Sequence, residues 1–170
     1  MKVSFEGNTG TIFYVIIGIL LAFGINQGLA LALSTEIPVV AVESNSMVPT
    51  FYQGDILIIQ GVKDPKDYID FLKVGDVIVF QPESRQVPIV HRLLRVNADG
   101  TFQTLGDANN GNQLPFETHI TPEQIKGKMI LIIPYLGWIK IGIMNYALPN
   151  LPIIIVILAG VSFLYYLSQR

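Results

Sequence analysis

The sequence predicts a mainly β domain, a small barrel or sandwich of short antiparallel strands, joined to an N-terminal and a C-terminal transmembrane helix. Two observations carry this prediction. Residues 12–33 and 151–167 are apolar runs without a charged side chain, whereas the chain between them has the composition of a soluble domain. In that middle part, short apolar stretches alternate at close spacing with Gly, Asn, Asp and Pro. Short strands separated by such turns are typical of small barrels and sandwiches.

The composition excludes several classes of function. Hydrophobic residues make up 51% of the chain and charged residues only 14%, against roughly 25% in soluble domains. The net charge is −2 without a basic block, so nucleic acid is not an expected partner. The chain has no Cys and two His, which argues against a disulfide framework, a thiolate nucleophile and a zinc site. No cofactor and no metal is expected.

The first apolar run, residues 12–33, is predicted to span a membrane. At about 1.5 Å per residue, it is long enough to cross a hydrocarbon core of roughly 30 Å. A cleaved signal peptide is the alternative. It is disfavoured because the run exceeds a typical signal-peptide core, the charge ahead of it is weak, and Ala30-Leu31-Ala32 is a poor cleavage match. Residues 1–11 then form a short cytoplasmic N-terminus.

The second apolar run, within residues 150–167, is predicted to be a shorter C-terminal transmembrane helix. Pro149 and Pro152 prevent a straight extension towards the N-terminus. Two spans place both chain ends on one side, and the short ends, which carry Lys2, Glu6 and Arg170, favour the cytoplasm. Residues 36–140 are therefore expected to form an extracytoplasmic or lumenal domain on a multi-pass protein of the cell membrane or the endoplasmic-reticulum membrane.

The central domain is expected to contain five strands. The first two, residues 55–60 and 76–81, are each introduced by Gly-Asp, which fits a turn that starts a strand. The segment at 106–113 is rich in Gly and Asn and is expected to be a loop. Polar residues 63–70 are expected to form a loop or one helical turn. The remaining strand candidates are residues 89–96, 101–105 and 128–133.

The motif Ser-Asn-Ser-Met-Val-Pro-Thr at residues 44–50 closely follows the first apolar run. Ser46 is the candidate nucleophile, and a serine hydroxyl attacks a carbonyl only when a neighbouring base removes its proton. Ser44 is the candidate donor to a developing oxyanion, together with the Ser46 N–H group. The alternative is a polar turn in which both serines hydrogen-bond the nearby backbone.

His91 is the candidate base, because it lies in an apolar strand and a neutral imidazole can accept a proton near pH 7. The other histidine, His119, lies in a polar loop and is expected to be solvated. Asp107 is the candidate acid that orients the imidazole and stabilises its charged form. The alternatives are a structural histidine and an aspartate that forms a turn.

These motifs resemble those of type I signal peptidases of the archaeal and endoplasmic-reticulum branch. That family has the serine motif after an N-terminal anchor, a Gly-Asp strand motif such as residues 75–80, and His-Arg, here residues 91–92, where the bacterial branch has a catalytic Lys. A Gly-Asp-Asn-Asn-like motif follows, and residues 106–110 are similar to it. The resemblance runs from about residue 21 to residue 141 in the family's order.

The resemblance implies that Ser46 is the nucleophile, His91 the base, Asp107 the third acid and Ser44 a contributor to the oxyanion hole. It implies a mainly β catalytic domain, no cofactor, and preprotein signal peptides with small residues at −1 and −3 as substrates. One departure concerns a second Asp that the family has about six residues after the first. Asn112-Gln113 stands there, so that acid is dispensable, or Asp107 serves for both, or activity is weakened.

The expected function is therefore that of a membrane-bound serine endopeptidase that cleaves signal peptides. A peptidase for one dedicated cargo is the second enzymatic reading. A catalytically silent subunit that binds signal peptides or assembles with an active partner is the alternative of a different class. The expected partners are preprotein signal peptides and the lipid bilayer, with other membrane subunits or the secretion translocon as further candidates.

Overall fold

The computed structural model describes residues 8–169 of the chain. Most of the short N-terminus at 1–11 lies outside the described residues, and so do Lys2, Glu6 and Arg170, whose charges favour the expected orientation.

Six strands form one antiparallel sheet, and its order is β1-β2-β6-β3-β4-β5. Among the described residues, no pairing joins β1 to β5, so the sheet is open. The predicted mainly β domain is confirmed, but the strands form one open sheet instead of the expected small barrel or sandwich. The strands are β1 (Val39–Ala41), β2 (Ile56–Gln60), β3 (Val77–Phe80), β4 (Ile89–Val96), β5 (Phe102–Leu105) and β6 (Ile125–Ile133).

The five predicted strand regions all form strands, and β1 is the strand that the sequence did not predict. β1 has only three residues and pairs with β2 through Val39 and Ile58, Val40 and Leu57, and Ala41 and Ile56. A strand this short has too little periodicity to be recognised before its partner is known. Its other edge faces the groove that is described below.

The sheet carries an apolar core on each face. All four residues of β3 are buried, as their continuous apolar run requires of a strand that is covered on both sides. Ile78 and Phe80 point to one core and Val77 and Val79 to the other, which is the alternation of a strand. The first core also contains Tyr68, Leu72, Leu93, Phe102, Ile120 and Ile125, and the second Val42, Met47, Phe51, Leu57 and Ile59.

The two Gly-Asp pairs form the same kind of turn. Gly54 and Gly75 have φ angles of +93° and +98°, which side chains rarely adopt. In each turn the following carboxylate, Asp55 or Asp76, accepts the backbone N–H three residues earlier, at 2.9 Å and 3.0 Å respectively. The prediction that these pairs introduce β2 and β3 is therefore confirmed.

Two apolar helices flank the domain, and the most apolar 18-residue window of each contains no buried residue. α1 is Asn8–Ala32, and within it Gly10–Ala32 has a mean hydropathy of 2.1. Between α1 and the C-terminal helix lie the strands, two short α-helices, α2 (Tyr68–Phe71) and α3 (Gly137–Gly142), the π-helical turn Ile143–Ala147, and 3-10 turns at Pro65–Asp67, Pro115–Glu117 and Pro122–Gln124. The last helix, α4, is Leu151–Ser168 with a mean hydropathy of 2.2. By length and composition, α1 and α4 are both able to cross a membrane.

The segment before α4 is tied to the turn that precedes β2. The Gly137 N–H donates to the Gly54 carbonyl at 2.8 Å, and the indole of Trp138 lies directly on Gly54, where a Cβ would collide with the ring. The Tyr135 N–H donates to Oδ1 of Asp55 at 3.0 Å. One carboxylate therefore organises its own turn and holds the start of the C-terminal segment.

Candidate active site

Ser46 lies in a tight loop between β1 and β2. The side chain of the next residue, Met47, is 1% exposed and anchors the loop in the second core. The Thr50 N–H donates to the Met47 carbonyl at 2.8 Å, and the Val48–Pro49 peptide bond is cis. Because Met47 and Ser46 are neighbours in a turn, burial of the methionine leaves the serine hydroxyl at the surface of the groove.

His91 is brought to this serine by the register of the sheet. It lies on β4 opposite Ile78 of β3 and is only 5% exposed. Its Nε2 atom is 3.0 Å from Oγ of Ser46, which is hydrogen-bonding distance for a serine and its general base. The structure thus brings together these two candidate residues. The other histidine, His119, is exposed and has its Nδ1 atom 3.0 Å from Oγ1 of Thr118.

The other imidazole nitrogen faces a carboxylate that the sequence analysis did not single out. Nδ1 of His91 hydrogen-bonds Oε1 of Glu117, whose side chain is fully buried. Oε2 of Glu117 accepts the Leu114 N–H at 2.8 Å, and the Thr104 hydroxyl lies 3.4 Å from Oε1. One sequence signal could have pointed to Glu117. It directly follows the apolar stretch Leu-Pro-Phe at 114–116, inside an otherwise polar loop.

The segment that carries Glu117 is fixed beside β5. Phe102 and Ile120 exchange two backbone hydrogen bonds of 2.8 Å and 2.9 Å. The Gln113 amide donates to the carbonyls of Thr104, at 2.9 Å, and Glu117, at 3.2 Å. Gln113, which stands near the place of the family's second Asp, is thus a brace for this segment and brings no charge to the imidazole.

Asp107 is held by a different partner. Its two carboxylate oxygens accept Nε and Nη2 of Arg92 at 2.8 Å and 2.6 Å, and Oδ2 also accepts the Thr50 hydroxyl. The hydrogen bond from Arg92, supported by that from Thr50, holds the pKa of the Asp107 carboxyl below its usual range. Both oxygens of Asp107 accept hydrogen bonds from the guanidinium. The imidazole was expected to bond Asp107, but in the structure it bonds the carboxylate of Glu117.

The loop of Asp107 also supports the backbone of the nucleophile. The Ala108 N–H donates to the Ser46 carbonyl at 2.9 Å. A Cβ at Gly106 would lie 2.8 Å from the same carbonyl oxygen, and real Cβ atoms are not found so close to an oxygen. Glycine at position 106 is therefore needed for the serine loop to approach this strand end.

Ser44 lies beside the nucleophile, with its Oγ atom 3.3 Å from Oγ of Ser46. It is exposed and not committed to a buried partner, so its hydroxyl is free to rotate towards a bound group. The structure therefore places Ser44 next to the candidate nucleophile, and its role as an oxyanion donor stays a prediction.

Ser46 and His91 open onto a groove of about 580 Å³ between β1 and the start of β4. Its mouth carries an ion pair of 3.3 Å between Lys140 and Glu43. Within residues 8–169, no three His, Asp or Glu side chains are grouped so as to hold a metal ion. The groove is mostly apolar, and its lining includes Val40, Val42, Phe51, Pro88, Val90 and Phe116.

A serine hydroxyl, an imidazole and a carboxylate hydrogen-bonded in that order, at the edge of a groove, define the site of a serine hydrolase. The family described as signal peptidase, peptidase S26, matches residues 11–100, a stretch that includes Ser46 and His91. The chain belongs to this family of signal peptidases.

Individual relatives agree with the family match. The signal peptidase complex catalytic subunit SEC11 of Lachancea thermotolerans is 36% identical over 72% of this chain and 75% of its own length. The signal peptidase complex catalytic subunit sec11 of Dictyostelium discoideum is 32% identical over 81% of this chain and 77% of its own length. SEC11 of Saccharomyces cerevisiae is 40% identical over 69% of this chain and 72% of its own length. The similarity therefore extends over most of both proteins.

Proposed function

We propose that this chain is a membrane-bound serine endopeptidase that cleaves N-terminal signal peptides from secreted preproteins after small residues at −1 and −3. The observation that carries the proposal is the 3.0 Å contact between Ser46 and His91 at an open groove, in a chain of the signal peptidase family. The similar SEC11 proteins are named catalytic subunits of a signal peptidase complex, which supports both the substrate class and work beside other membrane subunits.

The geometry supports a two-step acyl transfer. Oγ of Ser46 attacks the carbonyl carbon of the scissile bond while Nε2 of His91 takes the hydroxyl proton. When the tetrahedral intermediate collapses, the C–N bond breaks and His91 gives this proton to the leaving amine of the mature protein. A water molecule then loses a proton to His91 and attacks the acyl-enzyme. The signal peptide leaves with a carboxylate, and the proton returns to Ser46.

The negative oxygen of each tetrahedral intermediate needs hydrogen-bond donors. We assign this role to the hydroxyl of Ser44 and the backbone N–H of Ser46. Ser44 has its Oγ 3.3 Å from the attacking oxygen and is exposed to the groove. Removal of one such donor generally lowers kcat about 10²–10³-fold.

The preference for small residues at −1 and −3 follows from the way a peptide fits this groove. β1 lines the groove and pairs within the described residues with β2 alone, so its other edge can accept an extended peptide. Alternate side chains of an extended peptide point to the same side. Residues −1 and −3 then face the apolar wall together, whereas residue −2 points away from it.

The substrate preference has a direct test. A model preprotein with Ala at −1 should be cleaved by the purified protein in detergent, and replacement of that Ala by Leu should block cleavage. Replacement of the −2 residue by Leu is the matched control and should leave the rate nearly unchanged, because this side chain points away from the wall. Equal rates for Ala and Leu at −1 would contradict the proposal.

The proposed topology has residues 12–33 and 150–167 as membrane spans, both termini in the cytoplasm and residues 36–140 outside it. The uncharged surfaces of α1 and α4 support the spans. The site would lie close to the lipid, because only 13 residues separate Leu33 from Ser46 (46 − 33 = 13), and these span at most some tens of Å even when fully extended.

Protease protection on sealed vesicles tests this orientation. In vesicles with the cytoplasmic face outward, the central domain should be protected until detergent opens the membrane. A tag on the C-terminus should be removed without detergent, since both ends are expected on the outside of such vesicles. A central domain that is digested in intact vesicles would reverse the orientation.

A further inference from the structure

We infer that Glu117 is the residue that orients His91 and stabilises its charged form, and that Asp107 instead clamps the serine loop to β4. This inference rests on the proposed peptidase function, because it assigns the acid of that site. The side-chain contacts of the two carboxylates separate the roles: Glu117 bonds the imidazole, whereas Asp107 bonds Arg92 and Thr50.

The base requires an acceptor at Nδ1. Nε2 of His91 lies 3.0 Å from Ser46 and must carry a lone pair to take the serine proton. In a neutral imidazole the proton then resides on Nδ1, and this N–H group points into the protein, where it needs a partner. Oε1 of Glu117 is that partner. The contact selects the tautomer that can act as a base.

A purely structural role does not account for the burial of Glu117. The carboxylate caps the short helical turn at Leu114 through Oε2, but a cap needs only this one oxygen. The side chain is 0% exposed, and burial of an unpaired carboxylate is costly enough to exclude it. The second oxygen faces His91, which becomes a cation during the reaction and then forms a buried ion pair with Glu117.

Asp107 has the contacts of a clamp. Through Arg92 and Thr50 it joins β4 to the end of the serine motif, and Arg92 also donates to the Gly75 carbonyl at 2.8 Å. The low pKa of Asp107 keeps its carboxylate charged at neutral pH, so the clamp is intact there and weakens only as the pH falls through that lowered pKa. Asp107 acts on catalysis through the position of Ser46 and not through the imidazole.

The charged groups near His91 come from three parts of the chain. Glu117 approaches His91 from the 3-10 turn Pro115–Glu117, and Arg92 directly follows His91 on β4. Asp107 is near enough for the two charges to interact, although its oxygens are bonded to the guanidinium. A change at Asp107 therefore acts on His91 only weakly and through space, whereas a change at Glu117 removes a direct bond.

The Glu117→Gln variant tests this role, because the hydrogen bond from the Leu114 N–H fixes which end of the amide faces His91. The amide oxygen is needed to accept that N–H, which leaves the amide NH₂ pointing at the imidazole. Nδ1 must then become the acceptor, the proton moves to Nε2, and the base is lost. An amide in place of the acid of a Ser-His-Asp triad lowers kcat about 10⁴-fold by this route.

The experiment is ¹⁵N NMR of the full-length protein labelled at histidine, in detergent micelles and at a pH where the rings are neutral. The chain has only two histidines, so His119→Gln assigns both signals. We expect the Nδ1–H tautomer for His91 in the wild type and in Asp107→Asn, and the Nε2–H tautomer in Glu117→Gln. In Glu117→Gln, kcat for a model preprotein should fall on the order of 10³–10⁴-fold with little change in KM.

The outcomes separate the two proposals. A wild-type His91 in the Nε2–H tautomer would overturn the role of Glu117 even if the Gln variant did not fold, and so would a Gln variant that kept the Nδ1–H tautomer and the wild-type kcat. A tautomer that changes in Asp107→Asn would make Asp107 the orienting acid. Failure of the wild type to cleave any preprotein, with the expected tautomers present, would overturn the peptidase function and leave the Glu117–His91 contact standing.

Discussion

Ser46→Ala should abolish preprotein cleavage, with kcat reduced about 10⁴–10⁶-fold, because within residues 8–169 no other hydroxyl is hydrogen-bonded to Nε2 of His91. The hydroxyl itself contributes little to the fold, since the loop is anchored by the buried Met47 and by backbone hydrogen bonds. The midpoint of thermal unfolding should therefore stay within a few degrees of the wild type. Cleavage of a model preprotein followed on gels, together with a thermal unfolding scan, measures both effects.

Ser44→Ala is the matched control for this variant. The two serines are neighbours in the same exposed turn, 3.3 Å apart at their Oγ atoms, and loss of an oxyanion donor is expected to cost only about 10²–10³-fold in kcat. Turnover at the wild-type rate by Ser46→Ala would remove Ser46 from the mechanism. A greater loss in Ser44→Ala than in Ser46→Ala would exchange their assigned roles.

His91→Ala should lose nearly all activity, by about the same factor as Ser46→Ala, whereas His119→Ala should keep the wild-type rate. His91 is buried between the nucleophile and Glu117, and His119 is exposed beside Thr118. Because the base and the nucleophile act as one unit, the double variant of Ser46 and His91 should be no worse than either single variant. The measurement is kcat/KM on one preprotein for the wild type, the three single variants and the double variant.

The pH dependence gives a second readout for the same residue. The wild-type rate should fall towards acid pH, since a second proton on the imidazole removes the lone pair that accepts the serine proton. His119→Ala should show the same acid limb as the wild type. If both single histidine variants remained fully active, no histidine would serve as the base and another group would have to be sought near Ser46.

Much of the domain could be predicted because its signals are local. The apolar runs with Gly-Asp in front of them predicted β2 and β3, and the turn geometry at Gly54 and Gly75 explains why those two dipeptides stand there. Ser46 and His91 were predicted from short motifs in which the chemistry belongs to the motif itself. Strand starts and short motifs are formed by residues that are adjacent in the chain, so they can be recognised without knowledge of the fold.

The third acid could not be predicted because its role depends on contacts between distant segments. Asp107 lies in the recognisable Gly-Asp motif, but Arg92 donates hydrogen bonds to both of its carboxylate oxygens. Glu117 has no motif, and it reaches His91 only because the pairing of Phe102 with Ile120 lays the loop against β5. Which carboxylate meets the imidazole is thus decided by the packing of a loop on the sheet. β1 was missed for a related reason, since three residues become a strand only through their partner.

The bond between Asp55 and the Tyr135 N–H decides where this chain can be shortened. Removal of everything after β6 would take away one partner of the Asp55 carboxylate and strip Trp138 from Gly54, a few residues beyond the nucleophile. Removal of the residues after Gly142 would keep both contacts and delete only the π-helical turn and α4. We therefore expect the boundary of the catalytic unit to lie one helix beyond the sheet, and a version without α4 should be cut there rather than at the last strand.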